Sequence, residues 1–211
     1  MVTNTLTWYR TARADVWQWR NELSLVKKIL LTLGMAAAVG LLAQIKIPLP
    51  GTPVPVTGQT FGILLAAVLL GKWWGGASIA IYAILGALGV PWFNSWTGGI
   101  SHIAGPTGGY IIGFIFAALA LGFLTDKYLK ARSFFGLLGL MFVTNYVFVY
   151  GFGLLQLNLW LNMVQGTSVS LSQLLTMGLV PFIPGEVIKV PAAALAAWAL
   201  TPKKDARENR T

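Results

Sequence analysis

Apolar residues in this chain run in long blocks. They lack the period-two alternation of a half-buried strand and the one-sided stripe of a soluble helix. Six blocks approach the roughly 20 apolar residues that cross a bilayer. They cover residues 26–45, 57–70, 74–90, 108–125, 134–157 and 182–200. The second block is short. Only "GKWWGG" separates it from the third, and three glycines with a lysine make turn composition. The pattern predicts an all-α integral membrane protein of six transmembrane helices.

Composition agrees. The chain is 56% hydrophobic and 10% charged, against about 25% charged in an ordinary soluble domain. It has 24 glycines and 9 tryptophans, and both residue types suit a bilayer. The expected organisation is a six-helix membrane domain over 26–201, between an N-terminal extension (1–25) and a basic tail (202–211). The extension lacks the apolar core of a cleavable signal peptide. Its stretch "ADVWQWRNELSLVKK" sets Val16, Trp19, Leu23 and Val26 at helical spacing, which predicts an amphipathic helix along the inner interface. There is no cysteine, so disulfides and cysteine chemistry are excluded.

The net charge of +9 is explained by topology. Thirteen of the fifteen basic residues fall in alternate segments: Arg10, Arg13, Arg20, Lys27 and Lys28; Lys72; Lys127, Lys130 and Arg132; and Lys203, Lys204, Arg207 and Arg210. The positive-inside rule then puts both termini in the cytoplasm. Fusing the second and third spans would move the basic tail outside. Lys46 follows the first span, and Lys189 lies within the sixth.

Lys189 has company, because Glu186 precedes it by three residues and shares its helix face. Each charge costs roughly 2.5–3.5 kcal/mol at the centre of a spanning helix. The pair lies at or beyond the midplane, about 16–21 Å from the inner end of the last span. A structural salt bridge and a binding role both fit. The outer loops are "KIPLPGTPVPV", "PWFNSWTGGISHIAGPT" and "NLWLNMVQGTSVSLSQLLTMG". They are nearly uncharged and rich in Gly, Pro, Asn, Ser and Trp, which suits covering a polar, compact solute.

"PLPGTPVPVTGQTFGILLAAVLLG" and "GVPWFNSWTGGISHIAGPTGGYIIGF" resemble two signatures of the BioY family. "YGFGLLQL" and "PFIPGEVIKVPAAALA" resemble two shorter patterns of the same family, all in the right order. These are the biotin-specific S components of energy-coupling factor (ECF) vitamin transporters. The sequence departs from the family pattern at Glu186, where Asp is common, and at Gln156, where an aromatic is common. His102 is not expected there.

The resemblance implies a membrane subunit that captures biotin outside and delivers it through a transmembrane T component driven by ABC-type ATPases. It implies a prokaryotic plasma membrane, no cofactor in this chain and no nucleic-acid partner. The absence of a G-x-x-x-x-G-K-[ST] loop fits ATP use by the partners alone.

The expected ligand site lies near the outer face, under the first, third and fifth loops. It comprises Glu186 accepting from ureido N–H groups, Lys189 meeting either the carboxylate, as the resemblance favours, or the ureido carbonyl, and Asn94, Tyr110, Trp92, Thr57 and Gln59. The "GPTGGY" turn with Gly108 and Gly109 serves either as an anion cradle or only as a tight turn. Phe93 and Trp96 are further candidate walls. His102 has no partners for a metal site and reads as an exposed loop residue. Gly34, Ala36, Ala38 and Gly40 of the first span are the expected partner interface. An S component for another small vitamin and a stand-alone biotin transporter remain alternatives. An intramembrane enzyme would need a second carboxylate or a metal cluster, and no span supplies either.

Overall fold

The computed structural model describes residues 22–202 together with Thr11, Asp15, Trp17, Gln18 and Arg20. Val16, Trp19, Arg10, Arg13 and the basic tail lie outside the described residues. Leu23 is buried and Val26 exposed.

The apolar blocks form helices α1 (Leu25–Gln44), α2 (Gln59–Ala87), α4 (Gly108–Lys127), α5 (Phe134–Met163) and α7 (Ile183–Leu200). A hairpin of β1 (Lys46–Ile47) and β2 (Val56–Thr57) joins α1 to α2. Its strands are antiparallel, with Lys46 opposite Thr57 and Ile47 opposite Val56. The short α3 (Ile100–Ala104) precedes α4, and α6 (Leu171–Gly178) precedes α7.

α2 is two spans, not one. At Gly71 the backbone takes φ 79° and ψ −176°, a region essentially reserved for glycine. Residues 66 and 75 would be about 13 Å apart along a straight helix. Instead, a Cβ on Gly75 would lie 2.7 Å from the carbonyl oxygen of Ala66. The chain therefore doubles back at Gly71, and the "GKWWGG" turn read from the sequence gives six spanning segments.

The outer faces are those of a protein solvated by lipid. Leu30, Leu41, Phe135, Val147 and Ile188 are exposed. Small residues fill the interior instead, among them Ala66, Ala67, Ala117, Ala118, Ala193 and Ala194. Without a hydrophobic drive between helices in lipid, close backbone approach supplies the packing. α4 and α5 approach closely, and a Cβ on Gly113 would stand 2.5 Å from the carbonyl oxygen of Phe148.

Two elements depart from the sequence reading. α5 runs to Met163 rather than ending near residue 157. The fifth loop contains a helix of its own, α6. Ser170 and Gln173 start it with a reciprocal capping box, which satisfies two of the free N–H groups at a helix start.

Candidate functional site

α5 is not a uniform helix. Its middle, Asn145–Tyr150, is a π turn. On an α-helix, residues five apart point about 140° away from each other. The wider π turn realigns them, and Asn145 and Tyr150 both reach Glu186. Asn145 Nδ2 donates to Glu186 Oε2 at 2.9 Å, and the Tyr150 hydroxyl donates to Oε1 at 3.2 Å. Such π turns recur at functional sites.

Glu186 stands in the first turn of α7, where the helix dipole favours a negative charge. It is 1% exposed. Lys189 Nζ lies 2.7 Å from Glu186 Oε1. The ammonium also donates to the carbonyl oxygen of Thr57 at 3.0 Å and to the Thr60 hydroxyl at 3.5 Å. The Thr60 hydroxyl in turn donates to Glu186 Oε1 at 3.4 Å. The charge pair is thus tied to β2, to the start of α2 and to the π turn. Oε1 takes three of the donors and Oε2 one, so the remaining acceptor capacity of the carboxylate is concentrated at Oε2.

The pair lies on the floor of a cavity enclosing about 580 Å³, counted with its open mouth. Val54 and Pro55 of the hairpin loop form one side. Tyr82 from α2, Phe93, and Tyr110, Ile111 and Phe114 from α4 form aromatic and apolar walls. Gln59 Nε2 donates to the Tyr82 hydroxyl at 2.7 Å, and the Thr57 hydroxyl donates to Gln59 Oε1 at 2.7 Å. The Tyr110 hydroxyl donates to the carbonyl oxygen of Gly178 at 2.8 Å, tying the wall to the end of α6.

The structure brings Glu186, Lys189, Thr57, Gln59, Asn94 and Tyr110 to this one cavity. Other expectations are corrected. Trp92 is not a wall. Its indole N–H donates to the carbonyl oxygen of Tyr82 at 2.9 Å, so it braces a wall residue from behind. Trp96 is 62% exposed and lies away from the cavity. Gly108 and Gly109 do not line it either. Their missing side chains admit neighbouring backbone, since a Cβ on Gly109 would meet the carbonyl oxygen of Phe152 at 2.2 Å. Thr107, just before them, does line the cavity.

His102 is half-buried rather than exposed, and it lines the cavity with its ring centroid 5.5 Å from that of Phe93. Gln156, the other departure from the family pattern, stays outside and fastens the loop. Its Nε2 donates to the carbonyl oxygens of Ile103 and Gly105, the latter at 2.8 Å.

The expected interface on α1 divides between two faces. Ala36 and Gly40 are buried in the protein's own core, with Gly40 directly beneath Trp92. Gly34 is exposed and Ala38 half-buried, so they alone are available for an outside partner.

Sequence reasoning missed Thr60, Tyr82, Asn145 and Tyr150. Asn145 is fully buried, and its Oδ1 has no hydrogen-bond partner among the described residues. A lone asparagine inside an apolar block was the available signal. Among the described residues, no group of three or more His, Cys, Asp or Glu is placed to hold a metal ion.

Six spans around a half-enclosed cavity, with a buried ion pair at its floor, define a multi-pass membrane protein able to hold a small polar solute. The model of the BioY family matches residues 12–205, and the chain belongs to that family. It is 48% identical over 140 residues to the probable biotin transporter BioY of Methanothermobacter thermautotrophicus, covering 66% of this chain and 89% of the relative. It is 37% identical to the biotin transporter BioY of Thermotoga maritima, covering 75% of this chain and 86% of that one.

The crystal structure of the S-component for biotin from an ECF-type ABC transporter superposes with a TM-score of 0.73 at 28% identity. The match covers 84% of this chain and 94% of the other. These relatives are named as transporters and not as enzymes, in keeping with the reading from sequence.

Proposed function

We propose that this chain is the biotin-binding subunit of an ECF-type uptake transporter. It captures biotin from outside and passes it on through a T component energised by ABC-type ATPases. The observation that carries this reading is the buried Glu186–Lys189 pair, held on a cavity floor by Thr57, Thr60, Asn145 and Tyr150.

Biotin presents two ureido N–H donors and one carbonyl acceptor, an apolar thiophane ring and a carboxylate. Glu186 Oε2 accepts from a ureido N–H in a charge-assisted hydrogen bond. Asn94 supplies a donor for the carbonyl. Tyr82, Phe93 and Phe114 enclose the rings. The β1–β2 hairpin covers the cavity, and its prolines limit the entropy lost on closing.

The charge pattern of the sequence favours cytoplasmic termini and a plasma membrane of a prokaryote, with the cavity opening outward. The chain needs no cofactor, and ATP is consumed by its partners. Gly34 and Ala38 offer a narrow face for close helix approach by the T component.

Calorimetric titration of the purified chain with biotin, thiamine and riboflavin tests the ligand. Binding of biotin alone is expected, and binding of thiamine or riboflavin in its place would overturn the reading. Uptake of labelled biotin into vesicles, with and without the T component and ATPases, tests the partnership. ATP-dependent uptake only with the partners is the expected result, and equal uptake by the chain alone would support a stand-alone transporter.

A further inference from the structure

Glu186 and Lys189 are 2.7 Å apart and neutralise each other. A ligand carboxylate would therefore add an uncompensated negative charge to a cavity within an apolar bundle. Charges there are costly unless paired. Two of the lining residues can carry positive charge, Lys189 and His102. The Lys189 ammonium is committed to Glu186, Thr57 and Thr60. His102 projects from α3 on a different side of the cavity, half-buried beside Phe93.

We infer that His102, as an imidazolium, binds the carboxylate of the ligand, so that capture takes up one proton. This rests on the ligand being biotin. Imidazole ordinarily titrates near pH 6.5, and a carboxylate in contact favours its charged form.

The other groups around it do not titrate in that range in the ordinary course. α2 presents Tyr82 to the cavity, α4 presents Tyr110, and α5 presents Tyr150. The Phe93–Asn94 segment brings no ionisable side chain to the cavity. Gln156, on α5 and uncharged, holds α3 through the carbonyl oxygen of Ile103. Lys46 donates to the Ser95 hydroxyl beyond the lining. Glu186 and Lys189 share the cavity with His102. His102 is the chain's single histidine.

The test is titration calorimetry of the purified full chain with biotin at pH 7.5, in buffers of differing ionisation enthalpy. Wild type should take up between half a proton and one proton per biotin, and bind about tenfold tighter at pH 6.5 than at pH 8.5. His102→Gln should bind biotin with no uptake and with an affinity flat in pH. His102→Lys supplies a fixed cation and should restore tight binding at pH 8.5, again without uptake. Biotin amide, which lacks the carboxylate, should bind wild type without a proton.

Zero uptake by wild type would overturn the inference. Uptake retained in His102→Gln would place the proton on another group, such as Glu186, and would also overturn it. Failure of wild type to bind biotin at all would overturn the ligand reading itself and this inference with it.

Discussion

Replacing Glu186 by glutamine keeps the size of the side chain and removes its charge. The carboxylate is 1% exposed, and its partner Lys189 has a side chain only 16% exposed. The substitution leaves an ammonium facing a neutral amide, and it turns an amide N–H₂ either toward Asn145 or toward Tyr150, Thr60 and Lys189. Removing one member of a buried pair typically costs 3–5 kcal/mol. Lys189 keeps some contact with solvent and retains Thr57 and Thr60 as acceptors, so the loss should fall at the lower end, about 3 kcal/mol. For a chain of this length that corresponds to a fall in Tm of roughly 6–12 °C.

Binding should suffer separately. A hydrogen bond to a charged group contributes about 1.5–3 kcal/mol, so the Kd for biotin should rise about 10- to 150-fold. Thermal melting in detergent reads the first effect and calorimetric titration of the folded fraction reads the second. A Glu186→Gln protein that melts within a degree of wild type and binds biotin equally well would refute both the burial argument and the assignment of the site.

Further outcomes follow from other contacts. Tyr150→Phe removes the 3.2 Å hydrogen bond to Glu186 without opening the core; biotin affinity should fall about tenfold with little change in Tm, and an unchanged Kd would show that this hydroxyl does not position the carboxylate. Gly71→Ala places a Cβ 2.5 Å from Asp126 Oδ2 at a φ of +79°, which should cost at least 1–3 kcal/mol by melting; a wild-type melting profile would contradict the tight reversal. Because the chain has no cysteine, single substitutions map its topology cleanly. Gln165→Cys should label from outside intact cells and Lys130→Cys only after permeabilisation, and the reverse pattern would invert the proposed orientation.

The membrane architecture was legible because lipid imposes long apolar blocks, and the turn at Gly71 was legible because "GKWWGG" cannot continue a spanning helix comfortably. Glu186 and Lys189 stood out for the same reason, as charges where charge is costly. The rest of the site is tertiary. Thr60 is an ordinary helix residue until α7 brings Lys189 beside it, and Tyr82 until the fold brings it to Gln59. Asn145 and Tyr150 are five apart, a spacing that an α-helix would send to different faces, and only the π turn joins them.

Trp92 was read as a wall, and the glycines of "GPTGGY" were left between a cradle and a tight turn, because an aromatic or a glycine next to a site serves equally well as a brace or a close-packing surface. Trp92 braces Tyr82, and Gly109 lets α4 approach Phe152. The fifth loop did carry a missed signal. Ser170 and Gln173 have capping-box spacing and announce α6.

The central claim is that the floor built on Glu186 is where biotin is held. A crystal structure of the chain with biotin bound tests it most directly. The account predicts the ureido ring within hydrogen-bonding distance of Glu186 Oε2, with the carboxylate turned away from the Glu186–Lys189 pair toward His102. Biotin bound outside this cavity, with the Glu186–Lys189 floor untouched, would contradict it.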